Sequence, residues 1–285
     1  MHTTPRTFAL VGPGRAGTSL ALALVAGGSR AVGVAGRSPD SPSTRAAAAR
    51  LGCAPTPVAE VGRSADLVLL TPPDAALAEV AEAVAPGLEP GALVVHCSGA
   101  RGTEALAAVA LARPDVAVGA LHPLQTFAAA DPHRLEGAWA AVAGPPAVTD
   151  LARALGLQPF VVTDDRRAAY HAAAAVASNH LVALLGQVDR LAADAGVPGE
   201  AFWPLVRAAV VNAETLGPAA ALTGPVARGD VATVAAHLDA VAPGERDAYR
   251  ALAHAALLLT GRDDPALRTL LADGSVGRVA PGAAA

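Results

Sequence analysis

Near the amino terminus, Gly12, Gly14 and Gly17 stand in the order Gly12-Pro13-Gly14-Arg15-Ala16-Gly17. This G-x-G-x-x-G spacing is useful where a strand turns into a helix. The first glycine permits the tight turn, the second lets backbone approach a diphosphate, and the third lets helix pack on sheet. Arg15, Ala16 and Gly17 then offer helix-start amides to negative charge. Phe8-Ala9-Leu10-Val11 supplies the strand before, and an alanine/leucine run supplies the helix after. The pattern predicts a dinucleotide cradle.

The next strand ends at Ala35-Gly36-Arg37-Ser38. An NAD site carries a carboxylate about 20 residues beyond its glycines, to hold the ribose 2′-hydroxyl. Here Arg37 and Ser38 offer a guanidinium and a hydroxyl, which suit a 2′-phosphate, with Asp40 as the NAD-type rival. The expected cofactor is NADP(H) ahead of NAD(H).

Three later segments should reach the same sheet edge: Thr71-Pro72-Pro73-Asp74, His96-Cys97-Ser98-Gly99 and Leu121 to Phe127. Thr71 and Pro72 would border the cofactor, while Asp74 can cap a helix. Ser98, Gln125 and Thr126 are candidate substrate contacts, and His122 is a candidate proton donor. A second set lies on one helix. His171 precedes Ser178 by seven residues and Asn179 by eight, so an uninterrupted α-helix puts His171 and Ser178 on one face. Catalytic candidates are therefore His171, His122 and Asn179, with Ser178 as a substrate contact. His180 points about 100° from Asn179 and ranks third among the histidines.

These groups need a scaffold, and the chain supplies one. Nearly uncharged runs at 7–11, 31–35, 66–71, 92–97, 116–121, 138–143 and 159–163 read as strands buried on both faces. Between them, 15–26, 43–51, 75–85 and 103–112 read as helices, with Ser41 before Pro42 and Gly52 as start and stop signals. The fold class is α/β, a doubly wound (Rossmann) parallel sheet followed by an all-helical second domain. The change comes at Asp164-Asp165-Arg166-Arg167, read as a helix start with its capping acids. Residues 1–164 form the dinucleotide-binding domain and 165–285 the helical substrate or dimerisation domain. The second domain's helices are expected at 166–195, 200–216, 230–241, 245–260 and 265–272, with a frayed tail at 280–285.

Composition narrows the chemistry. The 285 residues are 53% hydrophobic and 16% charged with net charge −4, which gives no attraction to nucleic acid or anionic membrane. All 21 basic residues are arginine, which removes every lysine-dependent mechanism. Cys53 and Cys97 read as core residues, and no metal-ligand spacing is present. The uncharged run 168–186 approaches membrane-spanning length but is mostly alanine and carries two histidines. A soluble, cytoplasmic protein with a small-molecule substrate is expected.

Residues 65–74 (ADLVLLTPPD) and Gly36-Arg37-Ser38 resemble the superfamily of 6-phosphogluconate dehydrogenase, ketopantoate reductase and pyrroline-5-carboxylate reductase. LHPLQTF (121–127), YHAAAAVASN (170–179) and ALTGPVARGD (221–230) resemble a bacterial Rossmann-like family with a C-terminal domain of unknown function. The resemblance implies a nucleotide-dependent reductase, a homodimer through the helical domain, and ketopantoate as the leading substrate. One departure is clear. Ketopantoate reductases carry a lysine four residues before their helix asparagine, and Ala175 stands there relative to Asn179. The reading is an NADPH-dependent reductase of the C=O of a small 2-oxo acid. The alternatives are an imine reductase with the same cofactor and a non-catalytic NADP-binding sensor or partner protein.

Overall fold

The computed structural model describes residues 5–272 and contains two compact units, one ending at Ser178 and the next starting at Asn179. The first unit is built on β1 (Thr7–Val11), β2 (Arg30–Ala35), β3 (Leu67–Leu70), β4 (Leu93–His96), β5 (Ala117–Pro123), β6 (Trp139–Ala143) and β7 (Gln158–Val161). They form one sheet in the order β2-β1-β3-β4-β5-β6-β7. Each expected strand appears, with ends within two residues. Alternation along β1 shows why both faces must be covered. Phe8 and Leu10 enter one core with Leu20 and Leu24, while Ala9 and Val11 enter the other with Leu77 and Val84.

The sheet is not parallel throughout. β6 runs antiparallel to β5, and β7 is parallel to β6. The reason lies in the connection. Residues 124–138 contain a short 3-10 turn, Pro132–Leu135, and no crossover helix, so the chain returns alongside β5 in the opposite sense.

Helices α1 (Arg15–Ala26), α2 (Pro42–Leu51), α3 (Leu77–Val84) and α4 (Ala107–Ala112) follow the sequence pattern, and α5 (Pro146–Ala154) adds an unanticipated one between β6 and β7. Ser41 caps α2 by accepting from the Thr44 N–H, and Gly52 ends it at φ 67°. Asp74 makes no cap bond; it opens a 3-10 turn, and α3 starts only at Leu77.

The helix expected over 166–195 is interrupted. α6 (Arg167–Ala175) passes through a π-turn, Val176–His180, into α7 (Leu181–Asp194). A π-turn takes more residues per turn than an α-helix, so the seven-residue repeat from His171 to Ser178 is broken. Ser178 Oγ donates back to the Ala174 carbonyl at 2.8 Å. By length and composition alone, Asp164–Asp194 is apolar enough to cross a membrane.

The second unit contains α7, α8 (Trp203–Leu216), α9 (Pro218–Ala221), α10 (Pro225–Arg228), α11 (Val231–Ala240), α12 (Arg246–Thr260) and α13 (Pro265–Ala272), and no strand among its described residues. Val234, Leu238, Leu257 and Leu267 centre its core. Asp230 caps α11 through the Thr233 N–H, as its position after Gly229 suggests. The expected tail at 280–285 lies outside the described residues.

Candidate active site

The glycine turn sits where β1 enters α1. Gly12 has φ +83°, and a Cβ there would stand 2.6 Å from the Thr71 carbonyl carbon. A Cβ at Gly17 would overlap the Thr71 side chain. Thr71 closes the turn from β3 by donating its hydroxyl to the Gly12 carbonyl at 2.5 Å, with the Val11 carbonyl at 3.1 Å. Gly14 differs: a Cβ there would meet only the Gly12 oxygen, 4.0 Å away. Gly14 precedes α1 as its N-cap, without a side-chain cap bond, and the helix has no acidic residue in its first turn. Backbone is thus exposed beside the uncapped amides of Arg15, Ala16 and Gly17, a cradle that a diphosphate fits. The Arg15 side chain turns aside and donates to the Ala128 carbonyl at 3.3 Å.

At the end of β2, Arg37 and Ser38 are exposed. Ser38 Oγ accepts from the Asp40 N–H, and the Asp40 carboxylate stands 3.8 Å from Arg45. A cation and a hydroxyl therefore follow this strand directly, while the rival carboxylate lies beside a cation of α2.

The carboxyl ends of β4 and β5 meet α6 in a second cluster. His122 and His171 face each other edge-on with ring centres 6.0 Å apart. Gly99 makes this possible, because a Cβ there would lie 2.6 Å from the His171 ring and 2.8 Å from Nε2 of His122. Tyr170 completes the group with its hydroxyl 2.6 Å from Nδ1 of His122 and its ring against Phe160. Burial, then His171 and Arg167, depress His122 to about 4, whereas burial pushes Tyr170 up to about 12. Both are therefore neutral near pH 7. With Tyr170 as donor, the imidazole keeps its proton on Nε2.

Beneath them His96 is fully buried. Its Nδ1 accepts from the Ser98 N–H, and its Nε2 bonds the Gly102 carbonyl at 2.8 Å. It fixes the loop that carries Gly99. Among the described residues no group of three His, Cys, Asp or Glu could hold a metal. A pocket of about 500 Å³, lined by Arg6, Asp66, Leu93 and Asp150, opens at the amino ends of the strands, away from this chemistry.

Two family models match the chain. Residues 3–123 match a Rossmann-like domain, and residues 135–256 match the domain of unknown function DUF2520. The chain joins a Rossmann-like domain to a DUF2520 domain. No curated protein matches it. Among solved structures it is similar to a protein from Bacteroides fragilis assigned as an NADP oxidoreductase, at 24% identity and TM-score 0.75, covering 90% of this chain and 99% of that one. A Thermotoga maritima protein gives 23% and 0.67, covering 89% and 98%. Pyrroline-5-carboxylate reductase from Coxiella burnetii gives 17% and 0.55, covering 95% and 97%. At these identities the likeness is one of fold.

The Rossmann-like segment brings His122, and the DUF2520 segment brings Tyr170 and His171, so the hydrogen-bonded pair joins both matched segments. The expected residues divide accordingly. Gly12, Gly14, Ala16, Gly17, Thr71 and Pro72 assemble around one turn, and His122 and His171 meet. Ser98 is buried, with its Oγ accepting from the Arg101 N–H. Gln125 and Thr126 are exposed; Gln125 bonds the Arg134 carbonyl and the Thr126 N–H. Ser178 lies in the π-turn, and Asn179 in the same turn opens the second unit.

Three residues around this cluster escaped the sequence pattern. Tyr170 stands next to His171, and Gly99 next to Ser98, so adjacency was the available signal. The third is Arg167. It is 1% exposed, and the expected capping acids do not serve it: α6 has no side-chain cap, and Asp164 instead bonds Thr103 through both oxygens.

Proposed function

We propose that the chain is an NAD(P)-dependent oxidoreductase that prefers NADP(H) and reduces the C=O of a small 2-oxo acid. One observation carries this reading: the first unit holds both an open glycine cradle and a half-buried imidazole–phenol pair at the carboxyl ends of β1 and β5 of one sheet. The fold shared with the Bacteroides fragilis protein supports it.

The amides of Arg15, Ala16 and Gly17 would hold the diphosphate, with Gly12 and Thr71 fixing the turn and Pro72 lining its edge. Arg37 and Ser38 would take the 2′-phosphate. When bound, the cofactor supplies a hydride to the substrate. His122 then presents Nε2–H to the substrate oxygen and gives up that proton as negative charge develops there. Tyr170 passes its hydroxyl proton to Nδ1 and recovers one from water. His171, on the other side of Gly99, is the alternative donor. Ser98 is the nearest polar contact for substrate, with Ser178, Gln125 and Thr126 as outer ones. Ketopantoate is the first substrate to try.

A second reading has its own support. Held near 4 and 12, His122 and Tyr170 are both neutral near pH 7, and a neutral imidazole and a phenol are weak acids, which suits a protonated imine that already carries its proton. Following NADPH oxidation against 2-oxo acids, ketopantoate included, and against cyclic imines separates the two. Tight NADPH binding with no turnover on either panel would sink both and favour a sensor.

The protein is further proposed to act as a cytoplasmic homodimer through the helical unit. α8 buries no residue, and Val182, Leu205, Val210, Val211, Leu216 and Leu258 lie more than half exposed. Apolar helix faces of this kind are stable in water when another surface covers them.

A further inference from the structure

Arg167 is the largest side chain buried to less than 2% exposure, and its Nε, Nη1 and Nη2 have no hydrogen-bond partner. A guanidinium cannot shed its charge, and leaving it dry and unpaired costs several kcal/mol. Native structures seldom keep such a group without an acceptor.

The carboxylates whose charge reaches it, Asp164 and Glu104, make their hydrogen bonds elsewhere. Asp164 accepts from Thr103 through both oxygens, and Glu104 Oε1 accepts from Arg101. The Gly102 carbonyl is bonded to His96, and Nδ1 of His122 is bonded to Tyr170. The Arg167 charge is nonetheless felt at His96, His122 and Tyr170. A cation with five donor hydrogens thus lies within electrostatic reach of the imidazole–phenol pair, and among the described residues no anion hydrogen-bonds to it.

We infer that Arg167 binds a carboxylate of the substrate, so that this site selects small anionic acids over neutral carbonyl compounds. The inference rests on the proposed reading that the His122–Tyr170 pair faces substrate. A carboxylate offers the fork of oxygens that a guanidinium matches, and in a dry site the pair is strong. It would also complete the hydrogen bonding that the free protein leaves open.

The test uses oxamate, an unreactive carboxylate, and its neutral ester ethyl oxamate, with binding followed by calorimetry at constant ionic strength. Wild type should bind oxamate and not the ester. Arg167→Met, which removes the charge and keeps much of the volume, should weaken oxamate at least tenfold, about one decade in Kd. Its melting temperature without ligand should equal or exceed wild type, because an unpaired buried charge is gone. Failure of wild type to bind oxamate, or equal binding by the variant, overturns the inference. Should Arg167→Met not fold, Arg167→Lys replaces it: weakened oxamate binding that still excludes the ester supports the inference, and equal affinity for both compounds overturns it. Turnover does not enter this readout. Oxamate binding lost in Arg167→Met, with no NADPH oxidation on any substrate, removes the reductase and keeps the anion site. Turnover of 2-oxo acids that is indifferent to Arg167→Met does the reverse.

Discussion

The Tyr170 hydroxyl lies 2.6 Å from Nδ1 of His122, a hydrogen bond between residues 48 positions apart. It leaves the imidazole proton on Nε2 and can supply one to Nδ1 as Nε2 gives its own up. Tyr170→Phe removes both functions and keeps the ring against Phe160. Steady-state kinetics on the best substrate should show kcat reduced about tenfold or more, with cofactor affinity unchanged. An unchanged kcat would remove Tyr170 from the proton path.

His122 makes stability depend on pH in a definite direction. Its folded value is about 4, against about 6.5 in the unfolded chain. Between those values the unfolded state binds the extra proton, so stability rises with pH across the window. The contribution is complete above about pH 6.5 and is lost as pH falls toward 4, on the order of 2–3 kcal/mol. Buried His96 is lowered as well and adds in the same sense. Urea unfolding at a series of pH values should show this slope, and His122→Gln should flatten it.

Gly12 and Gly14 differ in what a methyl group would meet. Gly12→Ala must adopt φ +83° and press on the Thr71 carbonyl, which should cost about 2 kcal/mol or more in a denaturant melt. Gly14→Ala has room and an ordinary φ of −78°, so stability should fall by less than about 1 kcal/mol. NADPH binding should nevertheless be lost in Gly14→Ala. A variant that still binds tightly would mean the diphosphate lies elsewhere.

Arg37→Glu places a carboxylate where the 2′-phosphate is proposed to sit. Fluorescence titration should show NADPH weakened at least about tenfold more than NADH. Equal losses for both would argue against NADP preference.

The apolar exposure on α8 predicts an assembly of twice the 28.0 kDa chain mass by light scattering. Val211→Asp on that face should give monomers that remain folded. A monomeric wild type would leave the face unexplained.

Much of this was legible in the chain because the signals are local. The glycine turn announces itself through spacing, a preceding strand and a following helix, and all seven strands through short, nearly uncharged apolar runs. The reversal of β6 was not legible, since strand direction depends on a connection with no marker of its own. Pro146 at the first turn of α5 was a start signal hidden among Gly144 and Pro145, which read as a turn. Arg167 looked like ordinary charge at a helix start because three charged neighbours precede it. Its burial depends on the tertiary fold, and the groups that share its field, His96, Glu104 and His122, lie far away in sequence. The π-turn likewise left no periodicity to count, and an α-helical repeat from His171 to Ser178 was the natural expectation.

The Thr71 hydroxyl bond across the Gly12 carbonyl has a consequence for how this chain could change. The turn is set before any ligand arrives, so a diphosphate finds its amides already aligned and little ordering entropy is lost on binding. Discrimination between dinucleotides would then fall to Arg37 and Ser38, exposed side chains outside both sheet cores. Anchoring and choosing are carried by separate parts. A lineage, or an engineer, could exchange one cofactor for the other by editing the surface while the scaffold beneath stayed as it is.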